Sequence, residues 1–193
     1  HHHSAVHSFP TRRSSDLKGL QNTDLGLANE MAINQFIAHH SVIFQPEKRL
    51  MWVSTSPWQC GKYVAYDLNK IFKDTIDWQH EIYSSDLTIP EDKFIDTPEF
   101  QHLLTYKKLT PLLLKKIRKK EQIEESVLKT YQASNPSLYY VYEVIGDYYE
   151  AMQQSKQAIA YWQQALKKSI PKLQEKERIQ QKIQKQSKDG KES

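Results

Sequence analysis

The chain has 193 residues, 27 basic and 23 acidic side chains, a modest 38% hydrophobic content and one cysteine, Cys60. That length suits one or two small domains, and a lone cysteine excludes an intrachain disulfide and a cysteine-rich zinc site. Charge is unevenly placed: residues 1–106 carry 9 basic and 13 acidic groups, and residues 107–193 carry 18 and 10, which sets a boundary near 106.

Residues 1–17, HHHSAVHSFPTRRSSDL, stand outside fold reasoning. Residues 7–17 resemble the translation of a common sequencing-adapter oligonucleotide, and the segment is expected to be an artefactual or disordered leader. It contains no apolar run of signal-peptide or membrane-span length. Residues 18–32, with Gly19 and Gly26, read as a linker feeding the next segment.

Residues 33–68, INQFIAHHSVIFQPEKRLMWVSTSPWQCGKYVAYDL, form the stretch densest in apolar and aromatic residues. Residues 33–44 and 50–55 predict two strands. Gln45-Pro46-Glu47-Lys48-Arg49 is the turn, with Pro46 fixing φ at its start. On the first strand Phe36, Ala38, Val42 and Phe44 alternate with Ile37, His39 and Ile43; on the second Leu50 and Trp52 alternate with Met51 and Val53. Both faces are largely apolar, so the hairpin is expected to be covered on both sides, within a sheet that one hairpin does not complete. A loop over 56–61 leads to a short strand or extended segment over 62–68. Residues 69–96 read as irregular, with Trp78, Tyr83, Leu87, Ile89 and Phe94 spread among acidic and turn residues.

From Thr97 the pattern is helical. Thr97-Pro98-Glu99 and Thr110-Pro111 each place a hydroxyl N-cap before a proline, which predicts one helix of about 11 residues and another of about 22. Leu113, Ile117, Ile123, Val127 and Leu128 recur at roughly helical spacing in the second. Asn135-Pro136 starts the next helix, and Pro171 a further one over 173–183. The tail, 187–193, is charged and expected to be disordered.

Two resemblances follow from these residues. The strings INQFIAHHSVIF, MWVSTSPWQ and KYVAYDL resemble the C-terminal end of the catalytic domain in a bacterial branch of the N-terminal-nucleophile (Ntn) hydrolases. That branch groups acyl-coenzyme A:6-aminopenicillanic acid acyltransferases, carcinine hydrolases and choloylglycine-hydrolase-like proteins. The resemblance implies an αββα sandwich and cleavage or transfer of an amide-linked acyl group. Within 136–186, Tyr142, Ile145, Gly146, Tyr149, Ala158, Trp162, Ala165 and Pro171 resemble the spacing of a tetratricopeptide (TPR) repeat, with the proline one place late. Gly146 and Ala158 are small where two helices approach, and Trp162 is large where a gap is left. Residues 111–133 are expected to pack as a degenerate preceding pair.

The fold class expected is therefore α+β. Residues 18–96 would be the C-terminal portion of an Ntn sandwich, with a hairpin over 33–55 and an extended segment over 62–68. An all-α TPR-like extension over 97–186 would follow.

Ntn catalysis needs a Cys, Ser or Thr as residue one of the mature chain, activated by its own α-amine. No position here qualifies, and Cys60 is internal, so no catalytic residue is assigned and the fragment is expected to be inactive alone. Asn34, His39 and His40 are the candidates for substrate contact, Asn34 also for the oxyanion. His39 and His40 are adjacent on a strand, leave opposite faces, and so cannot share one metal site. Ser41 is placed to bond across the hairpin. The basic run over 115–120 reads as a solvated face balanced by Glu121, Glu124 and Glu125, and Tyr139, Tyr140, Tyr148 and Tyr161 as helix packing.

No metal-ligand spacing or phosphate-binding glycine loop is present, and no cofactor is expected. The expected partners are a small amide or acyl substrate in the intact protein and a protein or peptide on the TPR-like helices, with no nucleic acid and no membrane span. The compartment, cytoplasm or cell envelope of a bacterium, is not legible. The alternative reading is a TPR-like interaction module without catalytic activity.

Overall fold

The computed structural model describes residues 18, 19, 21, 23–32, 40–73 and 82–189. It is a mixed α and β chain with a four-stranded antiparallel sheet and helices that follow it. The chain divides into two compact units: one holds the sheet and ends at Thr97, and the other holds the helices from Pro98 onward together with the described residues between 18 and 32.

In the sheet unit, β1 (Val42–Gln45) and β2 (Leu50–Ser54) pair with Gln45 opposite Leu50. The turn between them is a 3-10 turn, Pro46–Lys48, closed by the Arg49 N–H on the Pro46 carbonyl at 3.0 Å. Arg49 takes φ +53° to re-enter the ladder. The Ser54 N–H donates to the Ser41 carbonyl at 2.9 Å, and the Ser41 N–H to the Ser54 hydroxyl at 2.8 Å. Ser41 thus bonds across the hairpin through its backbone. β3 (Tyr63–Asp67) continues the meander and is the extended segment expected over 62–68. The short helix α1 (Leu68–Ile71) follows, capped by the Asp67 carboxylate on the Asn69 N–H.

Residues 69–96 are not irregular throughout. β4 (Ser84–Ile89) adds a fourth strand beside β3. A bulge shifts its register between Tyr63 and Ala65, and the Leu87 carbonyl accepts the Trp52 indole N–H at 2.9 Å. Trp78 lies outside the described residues. The loop over 56–61 folds back so closely that a Cβ on Gly61 would meet the Ser56 carbonyl oxygen at 2.3 Å, so only glycine fits.

In the helical unit, α2 (Pro98–Arg118) starts at the predicted proline but does not stop before Pro111. The Thr110 hydroxyl donates to the Tyr106 carbonyl at 2.7 Å and also meets the Tyr131 hydroxyl at 3.1 Å. Side chains therefore support the turn from which Pro111 removes a donor. The predicted 22-residue second helix is instead the end of α2, a turn and α3 (Glu125–Ser134). Then come α4 (Tyr139–Ala151), α5 (Ser155–Leu166) and α6 (Leu173–Asp189), so the expected tail is helical to Asp189. The core of this unit includes Leu113, Tyr131, Val141, Ile145, Trp162 and Ile179, each buried to within 1% exposure.

Residues 18–32, expected to feed the hairpin, pack on the helical unit instead. Asn29, 1% exposed, donates to the Ser169 carbonyl at 3.0 Å, and Asn135 donates to the Leu27 carbonyl at 2.6 Å.

Candidate functional site

Of the three residues expected to contact substrate, Asn34 and His39 lie outside the described residues. His40 is exposed just before β1. Cys60 is fully buried in the 56–61 loop, with the Asp92 N–H on its carbonyl oxygen at 2.8 Å. Among the described residues no cluster of three His, Cys, Asp or Glu side chains could hold a metal ion, and no helix is long and apolar enough to cross a membrane.

The register of the sheet sorts its side chains into two faces. Trp52 and Ala65, paired across β2 and β3, are buried together with Ser54 and Ser84. On the other face Val42, Val53 and Val64 form one cross-strand row, and Phe44, Met51 and Tyr66 the next. None of these six is buried; Val42 is 44% and Phe44 63% exposed. The expectation of cover on both faces therefore holds for one face only. The other is apolar and only partly covered, with Val42 and Phe44 exposed and Met51, Val53, Val64 and Tyr66 half-buried, a surface that usually meets a partner layer.

In the helical unit the chemistry is concentrated where long side chains of α6 reach those of α4. Glu143, 2% exposed, accepts the Arg178 Nε and Nη2 at 3.2 and 2.9 Å and the Lys182 Nζ at 2.8 Å. The same Nζ reaches both Asp147 oxygens at 2.8 and 2.9 Å, and the Trp162 indole N–H adds a bond to Asp147 at 2.9 Å. Further along, Gln186 bridges Glu150 and Ser155; at the other end the Tyr139 hydroxyl donates to Glu175 at 2.7 Å. Burial works to lower the Lys182 ammonium, but Asp147 and Glu143 outweigh it and hold its pKa above the ordinary lysine value. Burial raises the Asp147 carboxyl and Glu143 adds to that; Lys182 and the Trp162 N–H offset only part of the rise.

Compared with protein-family profiles, curated proteins and solved structures, the chain matches none.

The seam between α4 and α6 is a positioning device. Each described carboxylate in it is engaged by a cation or a donor, so it supplies register to a polar helix. Sequence reasoning left these residues unassigned. The spacing of Glu143, Asp147 and Glu150 against Arg178, Lys182 and Gln186 is the signal that points to them, since both sets recur at one helical turn. The run over 115–120 is half-buried to exposed, with Lys119 3.6 Å from Glu121, in keeping with a solvated face. Tyr139 and Tyr148 are buried, and Tyr149 stacks on Tyr161 with ring centres 5.4 Å apart, which is helix packing.

Proposed function

We propose that the chain is the C-terminal part of an Ntn-type amide hydrolase or acyltransferase, extended by a helical unit and inactive without the upstream nucleophile. The observation that carries this reading is the incompletely covered apolar face formed by Val42, Val53, Val64, Phe44, Met51 and Tyr66, with Val42 and Phe44 exposed. A second sheet stacked about 10 Å away is the layer such a face calls for, and the αββα sandwich supplies one. In the intact protein a terminal Cys, Ser or Thr would attack the amide carbonyl, release the amine and pass the acyl group to water or an acceptor amine.

A DNA read across the codons for Leu17 and Lys18 tests this. The reading requires the frame to continue upstream to a Cys, Ser or Thr that becomes residue one after self-cleavage, and whose replacement by Ala abolishes release of the acyl group. A start codon directly before Lys18 would sink it.

A second reading, a TPR-like interaction module, is favoured by the packing of Gly146 against Trp162 and by the full burial of Ala158 and Ala165. These are small-on-large helix contacts of the kind that repeat arrays use. The two readings differ in what the sheet is for: an adaptor has no use for an incompletely covered apolar sheet face.

A further inference from the structure

The inference here is independent of the hydrolase reading. Residues 24–32 make two consecutive turns, with the Asn29 N–H on the Gly26 carbonyl at 3.3 Å and the Ala32 N–H on the Asn29 carbonyl at 3.1 Å. This short piece lies at one end of the helical unit, where the α3–α4 and α5–α6 connections come together. Its contacts reach 108 to 142 residues along the chain, from Leu27 with Asn135 to Glu30 with Lys172.

Polar contacts join the segment to the helical unit: Asn29 to Ser169, Asn135 to Leu27, Asp24 to Ser137 and Glu30 to Lys172. The Asn29 amide donates to the Leu25 carbonyl at 3.1 Å and the Ser169 carbonyl at 3.0 Å, and its oxygen accepts the Met31 N–H at 3.0 Å. Asn135 in turn donates to the Leu27 carbonyl. Of these, the Asn135 bond reads the backbone of the segment, the Asn29 amide reaches out to the Ser169 carbonyl, and the bonds to Leu25 and Met31 hold the segment's own turn. Sequence is read at three other places. Leu25 is 1% exposed. Gly26 has φ +77°, and a Cβ on it would sit 2.6 Å from the Leu138 nitrogen and 2.7 Å from the Asn135 Oδ1, so no side chain fits. Acidic groups flank the glycine. Asp24 accepts the Ser137 hydroxyl at 2.8 Å and Glu30 meets the Lys172 ammonium at 2.6 Å.

We propose that this end of the helical unit is a recognition site for a short acidic segment of the form Asp-Leu-Gly-Leu-Ala-Asn-Glu, filled in cis by residues 24–30 of this chain. The charge balance agrees, since the region from 107 onward carries the basic excess. Covalent linkage makes the filling intramolecular, so a site of modest intrinsic affinity stays filled.

The test uses the whole chain and a fluorescent decapeptide of residues 23–32. In a chain carrying Gly26→Val with Asn29→Ala, the cis segment is unseated and the peptide should bind by anisotropy at least about tenfold more tightly than to the unaltered chain, where the site is filled. A peptide with alanine at the Asn29 position should not bind. No binding up to about 1 mM to the altered chain, with its helical melting intact, overturns the proposal. Should that chain fail to fold, Ser137→Ala with Lys172→Ala gives the second arm. Amide exchange at Asn29 and Ala32 should then rise about tenfold while α4 and α5 amides keep their rates. Unchanged exchange at 29 and 32 overturns the proposal, and so does a rise spread evenly over α4 and α5.

Discussion

The Trp162 indole lies directly over Gly146: a Cβ on that glycine would come 2.4 Å from Trp162 Cδ1 and 2.5 Å from Nε1. Trp162 is fully buried and its N–H is held by Asp147, so the ring has nowhere to go. Gly146→Ala gains roughly 1 kcal/mol of helix propensity. Overpacking costs about 1–3 kcal/mol, and the disturbed indole bond about 1 kcal/mol more. The net expectation is a loss of about 1–3 kcal/mol in urea unfolding. A Gly146→Ala chain as stable as the original would show that the ring is free to shift.

This pair also marks what is legible in the sequence. A small residue facing a large one on neighbouring helices is a local steric signal, and Gly146, Ala158 and Trp162 carry it in their own identities. β2, β3 and the turn end of the first strand are legible for a similar reason, because alternation and the Pro46 turn are short-range; of the strand expected over 33–44, residues 33–39 lie outside the described residues and 40–41 are not strand. β4 is not, since its SSDLTI string has apolar residues only at Leu87 and Ile89 and takes its place through pairing with β3. The Thr110-Pro111 start signal misleads because Tyr131, 21 residues away, supports the Thr110 hydroxyl within a continuous helix. The cation–carboxylate seam escapes for the same reason, its partners being 35 to 39 residues apart. The docking of residues 24–32 spans more than 100 residues and leaves only Gly26 as a local hint.

Lys182 is the cation on which α6 depends most. It serves two carboxylates, Glu143 and Asp147, and the described part of α6 offers the core only Ile179 and the partly buried Ile183. Lys182→Met leaves Glu143 with Arg178, which is half exposed, and Asp147 with the indole N–H. Removing one partner of a buried ion pair costs about 3 kcal/mol or more. Adding Glu143→Gln to Lys182→Met should restore at least about 1 kcal/mol of that loss. Additive effects of the two changes, measured in urea, would deny the coupling.

α2 ends on a lysine where glycine is usual. The Glu121 N–H reaches the Lys116 carbonyl at 3.0 Å, the Lys120 N–H reaches the Ile117 carbonyl at 3.0 Å, and Lys120 has φ +55°. That is a Schellman closure with a side chain in the left-handed region, at a cost of about 1 kcal/mol. Lys120 is exposed, so nothing else is lost on its removal. Lys120→Gly should raise the unfolding free energy by roughly 0.5–1 kcal/mol. A lower melting temperature for Lys120→Gly would count against the closure.

Alkaline pH should loosen the helical unit through two stacked tyrosines. Tyr106 and Tyr131 lie with ring centres 5.8 Å apart, and Thr110 bonds to Tyr131 from between them. Burial, with Tyr140 adding to it, pushes the Tyr106 phenol up to about 12, against an ordinary value of 10.0. Burial and the neighbouring Tyr106 raise Tyr131 as well. A folded pKa above the unfolded one means the native chain keeps protons that the unfolded chain releases. The stability these phenols contribute is therefore complete below pH 10 and declines above it, and Tyr106's share is lost as pH rises through about 12. For Tyr106 alone the loss is about 2–3 kcal/mol. Lys182, also raised, acts in the same direction above its ordinary 10.5. Tyr131→Phe should lower stability by about 1 kcal/mol at neutral pH, through the lost bond to Thr110. It should also flatten the decline between pH 10 and 12, because one raised phenol no longer titrates. Urea midpoints for both chains across that interval decide the matter, and parallel declines would remove Tyr131 from the account.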